Sequence, residues 1–125
     1  NCAVYADVAT QGDGGGLVGL TWVGTRTFTI KNSLYKGTVT ASSAGAVIGF
    51  NGNEPGFTSN ITNVSYCETG SLSVCGGTNG GTLTESNVTD VSEDYFKEPQ
   101  AVELVNTDLT PPMWEMGANY PVLKQ

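Results

Sequence analysis

Short apolar runs alternate along this chain with Gly, Asn, Ser and Thr, and the runs themselves return about every thirty residues. Gly15-Gly16-Leu17-Val18-Gly19-Leu20 comes back as Gly45-Ala46-Val47-Ile48-Gly49-Phe50. Ile30-Lys31-Asn32-Ser33-Leu34-Tyr35 comes back as Ile61-Thr62-Asn63-Val64-Ser65-Tyr66, and Asn1-Cys2-Ala3-Val4-Tyr5 is an earlier, partial copy. Within a copy, residues 26–30 and 34–40 read as strands, and the nearly continuous apolar run 46–50 reads as a third, buried strand. A period of this size describes stacked copies of one unit, none of which buries its apolar face alone. Three strands per copy without a helix predict an all-β fold: a parallel β-solenoid of two to three coils.

Stacking places equivalent side chains above one another. The expected columns are Tyr5, Tyr35 and Tyr66; Val8, Val39 and Leu72; and Leu17 with Val47, continued at Val74 by the weak third copy Ser73-Val74-Cys75-Gly76. Val18 and Gly19 then answer Ile48 and Gly49, with glycine permitting close backbone approach. A β-sandwich of short strands is the alternative, but its strands need not resemble each other. From residue 82 the repeat is lost, so we divide the chain into repeats at 1–81 and a C-terminal cap at 82–125. There Thr84-Glu85-Ser86-Asn87-Val88 suggests a short helical turn, and residues 99–105 suggest a helix with Pro99 near its first position. A cap is expected because the last coil presents unpaired backbone groups; Leu104, Trp114, Val122 and Leu123 are expected to cover the end of the core.

Charge sharpens this division. Residues 1–83 carry four acids against three bases, and residues 84–125 carry eight against two, which gives −1 and −6 of the formal −7. Five basic residues in all make a nucleic-acid groove or attraction to anionic lipid unsupported. No stretch approaches the roughly 20 apolar residues of a membrane span, and these residues contain no signal peptide, so any such segment is expected to have been removed or to lie outside this chain. Asn1 and Cys2 already sit inside a repeat, so we expect a C-terminal piece of a longer protein, whose open N-terminal edge pairs with upstream repeats or another copy.

Gly16-Leu17-Val18-Gly19, its echo Ala46-Val47-Ile48-Gly49, and the segments Asn32-Ser33-Leu34-Tyr35 and Asn63-Val64-Ser65-Tyr66 resemble the GLUG-motif repeats. These occur in large bacterial surface and secreted proteins, including haemagglutinin-like adhesins and IgA-cleaving metallopeptidases. The ending is similar to the tail that often closes such arrays: Thr82 to Thr84, then Ala101 to Asn106, Trp114, and Tyr120 to Lys124. The resemblance implies an extracellular or cell-surface location and a repeat architecture. It implies no catalytic residues, because the family carries no catalytic set to transfer; the second copy departs from the motif at Ala46, which replaces a glycine, and the third is eroded.

The chemistry read from the residues agrees. The chain has no histidine, so Ser-His-Asp, Cys-His and His-metal sites are excluded. Glu93, Asp94 and Glu98 read as a solvated acidic face, and no cofactor is expected. Asp13, in Gly12-Asp13-Gly14-Gly15, is a candidate cation site through backbone carbonyls, against the plainer reading of a flexible turn; calcium takes six to eight oxygen ligands. Cys67 and Cys75 flank a Gly-Ser turn and are candidates for a disulfide, against the reading that all three cysteines are small reduced hydrophobes. Trp22 heads the candidates for stacking on a sugar ring, ahead of Tyr35, Phe57, Tyr66 and Trp114. A Thr ladder, Thr38 over Thr69 and Thr40 over Ser71, is only two ranks deep, too few for binding ice. Three glycosylation sequons, at Asn60, Asn63 and Asn87, are expected by chance in this composition. The expected function is a noncatalytic structural or adhesive module of a bacterial cell-surface or secreted protein, with a host or cell-wall glycan or protein as its partner. The alternatives are a carbohydrate-binding module and a fragment of a polysaccharide-degrading β-helix enzyme.

Overall fold

A computed structural model describes residues 1–21, 26–52 and 55–125. The chain is all-β with parallel sheets and one short helix. Its strands in order are β1 (Ala3–Tyr5), β2 (Val8–Ala9), β3 (Asp13–Gly15), β4 (Val18–Thr21), β5 (Thr27–Gly37), β6 (Val39–Thr40), β7 (Ser43–Gly45), β8 (Ile48–Asn51), β9 (Thr58–Glu68) and β10 (Thr82–Asp90). A 3-10 helix (Glu93–Lys97), helix α1 (Pro99–Asn106), β11 (Trp114–Met116) and β12 (Pro121–Leu123) follow.

Strands of successive repeats pair in parallel. β1, β5, β9 and β10 form a four-stranded sheet in that order, and β2-β6, β3-β7 and β4-β8 form two-stranded pairs. The register follows the sequence repeat: Val18 pairs with Ile48, Gly15 with Gly45, Val8 with Val39 and Tyr35 with Tyr66. The eroded third copy joins in, because the Ala46 and Val47 amides donate to Ser73 O and Val74 O at 2.8 and 3.0 Å. The expected Tyr5–Tyr35 column is off by one residue: Val4 pairs with Tyr35, and Tyr5 with Lys36. Side chains alternate along a strand, so that single step sends Tyr5 to the opposite face.

The interior is one cluster. Ile30, Tyr35, Val39, Ala46, Val47, Ile48, Ile61, Val64 and Tyr66 are buried, with Leu17, Val18, Val74 and Cys75 packed against them. Full burial of each large apolar side chain contributes about 1.5–3 kcal/mol.

Residues 84–88 form no helical turn. They lie in β10, which pairs in parallel with β9 from Thr82 opposite Thr58 to Asp90 opposite Tyr66. The stack therefore continues past residue 81. Among the described residues no strand pairs with the far edge of β10, which carries Glu85 and Asp90; charged side chains are one device that blunts such an edge.

The C-terminal segment does not cover the end of the core. It packs on the outer flank of the four-stranded sheet, where Phe96, Ala101 and Val105 bury Leu34, with Ala3, Tyr5, Cys67, Leu104 and Trp114 around them. Leu34 and Cys67 point outward on their strands and need cover there. Val122 and Leu123, expected to cover the core, are 43% and 54% exposed.

Candidate ligand-binding surface

One local feature divides the four-stranded sheet into two halves. Asn32 and Asn63 have φ of 52° and 53°, and so does Asn87 at 53°. Asparagine tolerates this left-handed conformation better than other residues with a Cβ. The Asn32 and Asn63 pair drops out of the ladder, which steps from Lys31–Thr62 to Ser33–Val64. The three amides are linked in a column: Asn87 Nδ2 donates to Asn63 Oδ1 at 2.9 Å, and Asn63 Nδ2 to Asn32 Oδ1 at 3.0 Å. Asn32 Nδ2 in turn donates to Thr107 O at 2.9 Å.

The half beyond this column is the covered one. Asn1 Nδ2 joins Asn32 at the end of α1, donating to Val105 O at 2.8 Å and Thr107 O at 3.2 Å. These bonds satisfy carbonyls that a helix C-terminus leaves without partners. Tyr5 stacks on Tyr120 with ring centroids 4.6 Å apart. Lys36 reaches Glu93 at 2.9 Å and lies over the Tyr120 ring. That contact with Glu93 raises the Lys36 pKa, and the same contact holds the Glu93 carboxyl below its ordinary value. Burial, with Tyr120 and Cys2 beside it, pushes the Tyr5 phenol up.

Among the described residues, nothing covers the half before the column. Phe28, Ile30, Ile61 and Leu83 pack inward, so alternation turns Thr27, Thr29 and Lys31 outward on β5, Thr58, Asn60 and Thr62 on β9, and Thr82, Thr84 and Ser86 on β10. Their register aligns Thr27, Thr58 and Thr82; Thr29, Asn60 and Thr84; and Lys31, Thr62 and Ser86. The result is a grid of three columns by three strands. Its outer two strands are exposed and its middle strand is half-buried between them. Only Lys31 is charged, and it pairs with Asp108 at 3.1 Å.

Other expected site residues are dispersed. Trp22 lies outside the described residues. Asp13 belongs to β3, paired with Ser43, so its backbone sits in a ladder and not in a flexible turn. Among the described residues no group of three or more Cys, Asp and Glu could hold a metal ion. Tyr35, Phe57 and Tyr66 are buried and offer no free ring face, and Trp114 is half-buried in the flank cluster. Cys67 and Cys75 are not bridged: both are free. Cys67 faces the flank cluster and Cys75 the interior, which sets their side chains on different sides. Burial pushes both thiols up, so neither is a reactive thiolate at neutral pH. Of the Thr ladder, Thr38 and Thr69 hydroxyls meet at 2.9 Å.

Two buried polar groups had no sequence signal. The Glu68 carboxylate accepts backbone amides from Gly70, Leu72 and Val39 at 2.7, 3.2 and 3.3 Å, pinning the corner after β9. Among the described residues the buried Tyr35 hydroxyl has no hydrogen-bond partner, and burial, with Glu68 and Asp7 nearby, pushes the phenol up to about 12. The fold therefore keeps this phenol neutral. The stability it contributes is complete below the ordinary tyrosine value of 10.0 and is lost as pH climbs towards 12. Tyr35→Phe is expected to leave stability at pH 7 unchanged or higher, because it removes an unpartnered buried hydroxyl. It should also shift alkaline unfolding to higher pH. Urea melts at pH 7 and a pH titration followed by circular dichroism check both; a clear loss at pH 7 would contradict the reading.

Comparison with protein-family models, with curated proteins and with solved structures found no match for this chain.

Proposed function

We propose that this chain is a noncatalytic structural or adhesive module of a bacterial cell-surface or secreted protein, built as a short parallel β-solenoid of GLUG-type repeats. The observation that carries the reading is the parallel, in-register pairing of the long strands β5, β9 and β10, tied along one line by Asn32, Asn63 and Asn87. Such a unit gains stability from its neighbours and suits a rigid element that holds other surfaces apart or presents one of its own. The acidic C-terminal segment favours solubility of the same unit outside the cell. Among the described residues no helix is long and apolar enough to cross a membrane.

Two measurements test this. Antibody raised against the chain should label intact cells of the organism that makes it, or find the protein in the medium; labelling only after permeabilisation would overturn the surface reading. Incubation with neutral and acidic polysaccharides, with and without calcium, should release no reducing ends. Release by the purified chain would make it an enzyme.

A further inference from the structure

We propose that the bare outer face of β5, β9 and β10 binds ice, with its Thr hydroxyls and methyl groups set against the water lattice of an ice surface. Ice binding goes beyond the spacer or adhesive role.

The face is a two-dimensional grid. Neighbouring strands lie about 4.8 Å apart, and alternate residues on a strand about 6.7 Å apart. Six of the nine positions are Thr, joined by Ser86, Asn60 and Lys31. β-Branched Thr has few χ1 choices, so pairing in a sheet holds each hydroxyl and methyl nearly fixed before any ligand arrives. Among the described residues, none of these Thr, Ser and Asn60 side chains has a hydrogen-bond partner, so their polar atoms face solvent.

The chemistry of the face selects its occupant. In a chain of formal charge −7, this patch holds one charge, Lys31, and Asp108 pairs with it. It therefore offers no complement to an anionic polysaccharide, a lipid headgroup or a phosphate backbone. Among the described residues it carries no aromatic ring on which a pyranose could stack. What remains is a neutral ligand that repeats in both directions of a plane at the spacing of hydroxyl groups. The oxygen lattice of hexagonal ice does so. A face of this kind orders water in the lattice positions while its methyl groups sit between them. Among the described residues nothing packs over this half, although the adjoining half, past the Asn column, is covered by the C-terminal segment.

The test uses the full chain. Slowly grown ice should take up the wild-type protein, and the protein should arrest coarsening of fine-grained ice in sucrose. Asn60→Tyr places a bulky side chain at the centre of the grid and should abolish both. Gln100→Tyr, exposed on α1 away from the grid, should change neither. Asn60→Thr completes the central column and should strengthen both. Circular dichroism confirms that each variant is folded; if Asn60→Tyr is not, Thr84→Tyr on the edge strand takes its place. Exclusion of the wild type from ice would overturn the proposal. So would a folded Asn60→Tyr that matches wild type, or retention on insoluble cellulose or chitin without uptake into ice. None of these results touches the surface reading, which antibody labelling tests separately.

Discussion

Gly45→Ala is expected to destabilise the protein by about 3 kcal/mol or more, a large share of what a small domain possesses. A Cβ built on Gly45 runs into the carbonyl oxygen of Ile48 and sits 2.5 Å from the Gly76 amide nitrogen. Both obstacles are backbone, and they belong to two successive repeats. Relief would require the repeats to move apart, with loss of ladder bonds such as the Ile48 and Gly76 amide contacts to Val74 O and Ile48 O, each 3.0 Å. Gly12→Ala is the matched control. Its added Cβ meets nothing within 4 Å, so its effect should stay within about 0.5 kcal/mol. Urea unfolding followed by far-ultraviolet circular dichroism measures both. Equal midpoints for the two variants would mean that backbones do not approach at Gly45 as described.

Asn63→Ala is expected to cost about as much as Gly45→Ala, for different reasons. Asn63 is the middle of its column: it donates to Asn32 and accepts from Asn87. Losing two hydrogen bonds costs about 1 kcal/mol each. Holding Ala in the left-handed conformation that Asn63 adopts adds about 1–2 kcal/mol. Asn63→Gly separates the two causes, since glycine takes that conformation freely but restores neither bond. It should recover roughly the backbone share and no more. Asn63→Asp keeps the shape and replaces the donor to Asn32 Oδ1 with an oxygen, so it should be worse at pH 7 than at pH 3. If Asn63→Gly matched wild type, the amide column would contribute nothing.

Much of the register was readable because the glycine motif demands it. Gly15 and Gly45 pair, and Leu17 and Val47 are joined by a 3.1 Å backbone bond, because only a small residue lets the two backbones meet there. The fourth strand was not readable, for a physical reason. Thr27 to Thr58 spans 31 residues and Thr58 to Thr82 only 24. The last copy has shortened its connections while keeping its strand, so a search at constant period misses it. The surviving mark is asparagine: Asn87 repeats Asn32 and Asn63 in the same left-handed geometry. Without β10 the outward Thr face has two strands, not three, and looks accidental. The flank was missed for a related reason. Asn32 shifts the alternation, so Leu34 faces outward while Tyr35 faces in, and an outward apolar residue calls for cover. Tyr5 misled because it resembles Tyr35 in type but stands one position away in register. The buried Glu68 had no signal at all, since its partners are backbone amides that any sequence supplies.

Equivalent residues of successive repeats lie side by side on parallel strands. Nuclear Overhauser contacts in uniformly labelled protein test this pairing most directly. Backbone contacts are expected between the neighbours of Tyr35 and Tyr66, of Val18 and Ile48, and of Val64 and Val88, each in the parallel pattern. Absence of the Tyr35–Tyr66 and Val18–Ile48 contacts, or an antiparallel pattern at those pairs, would contradict it.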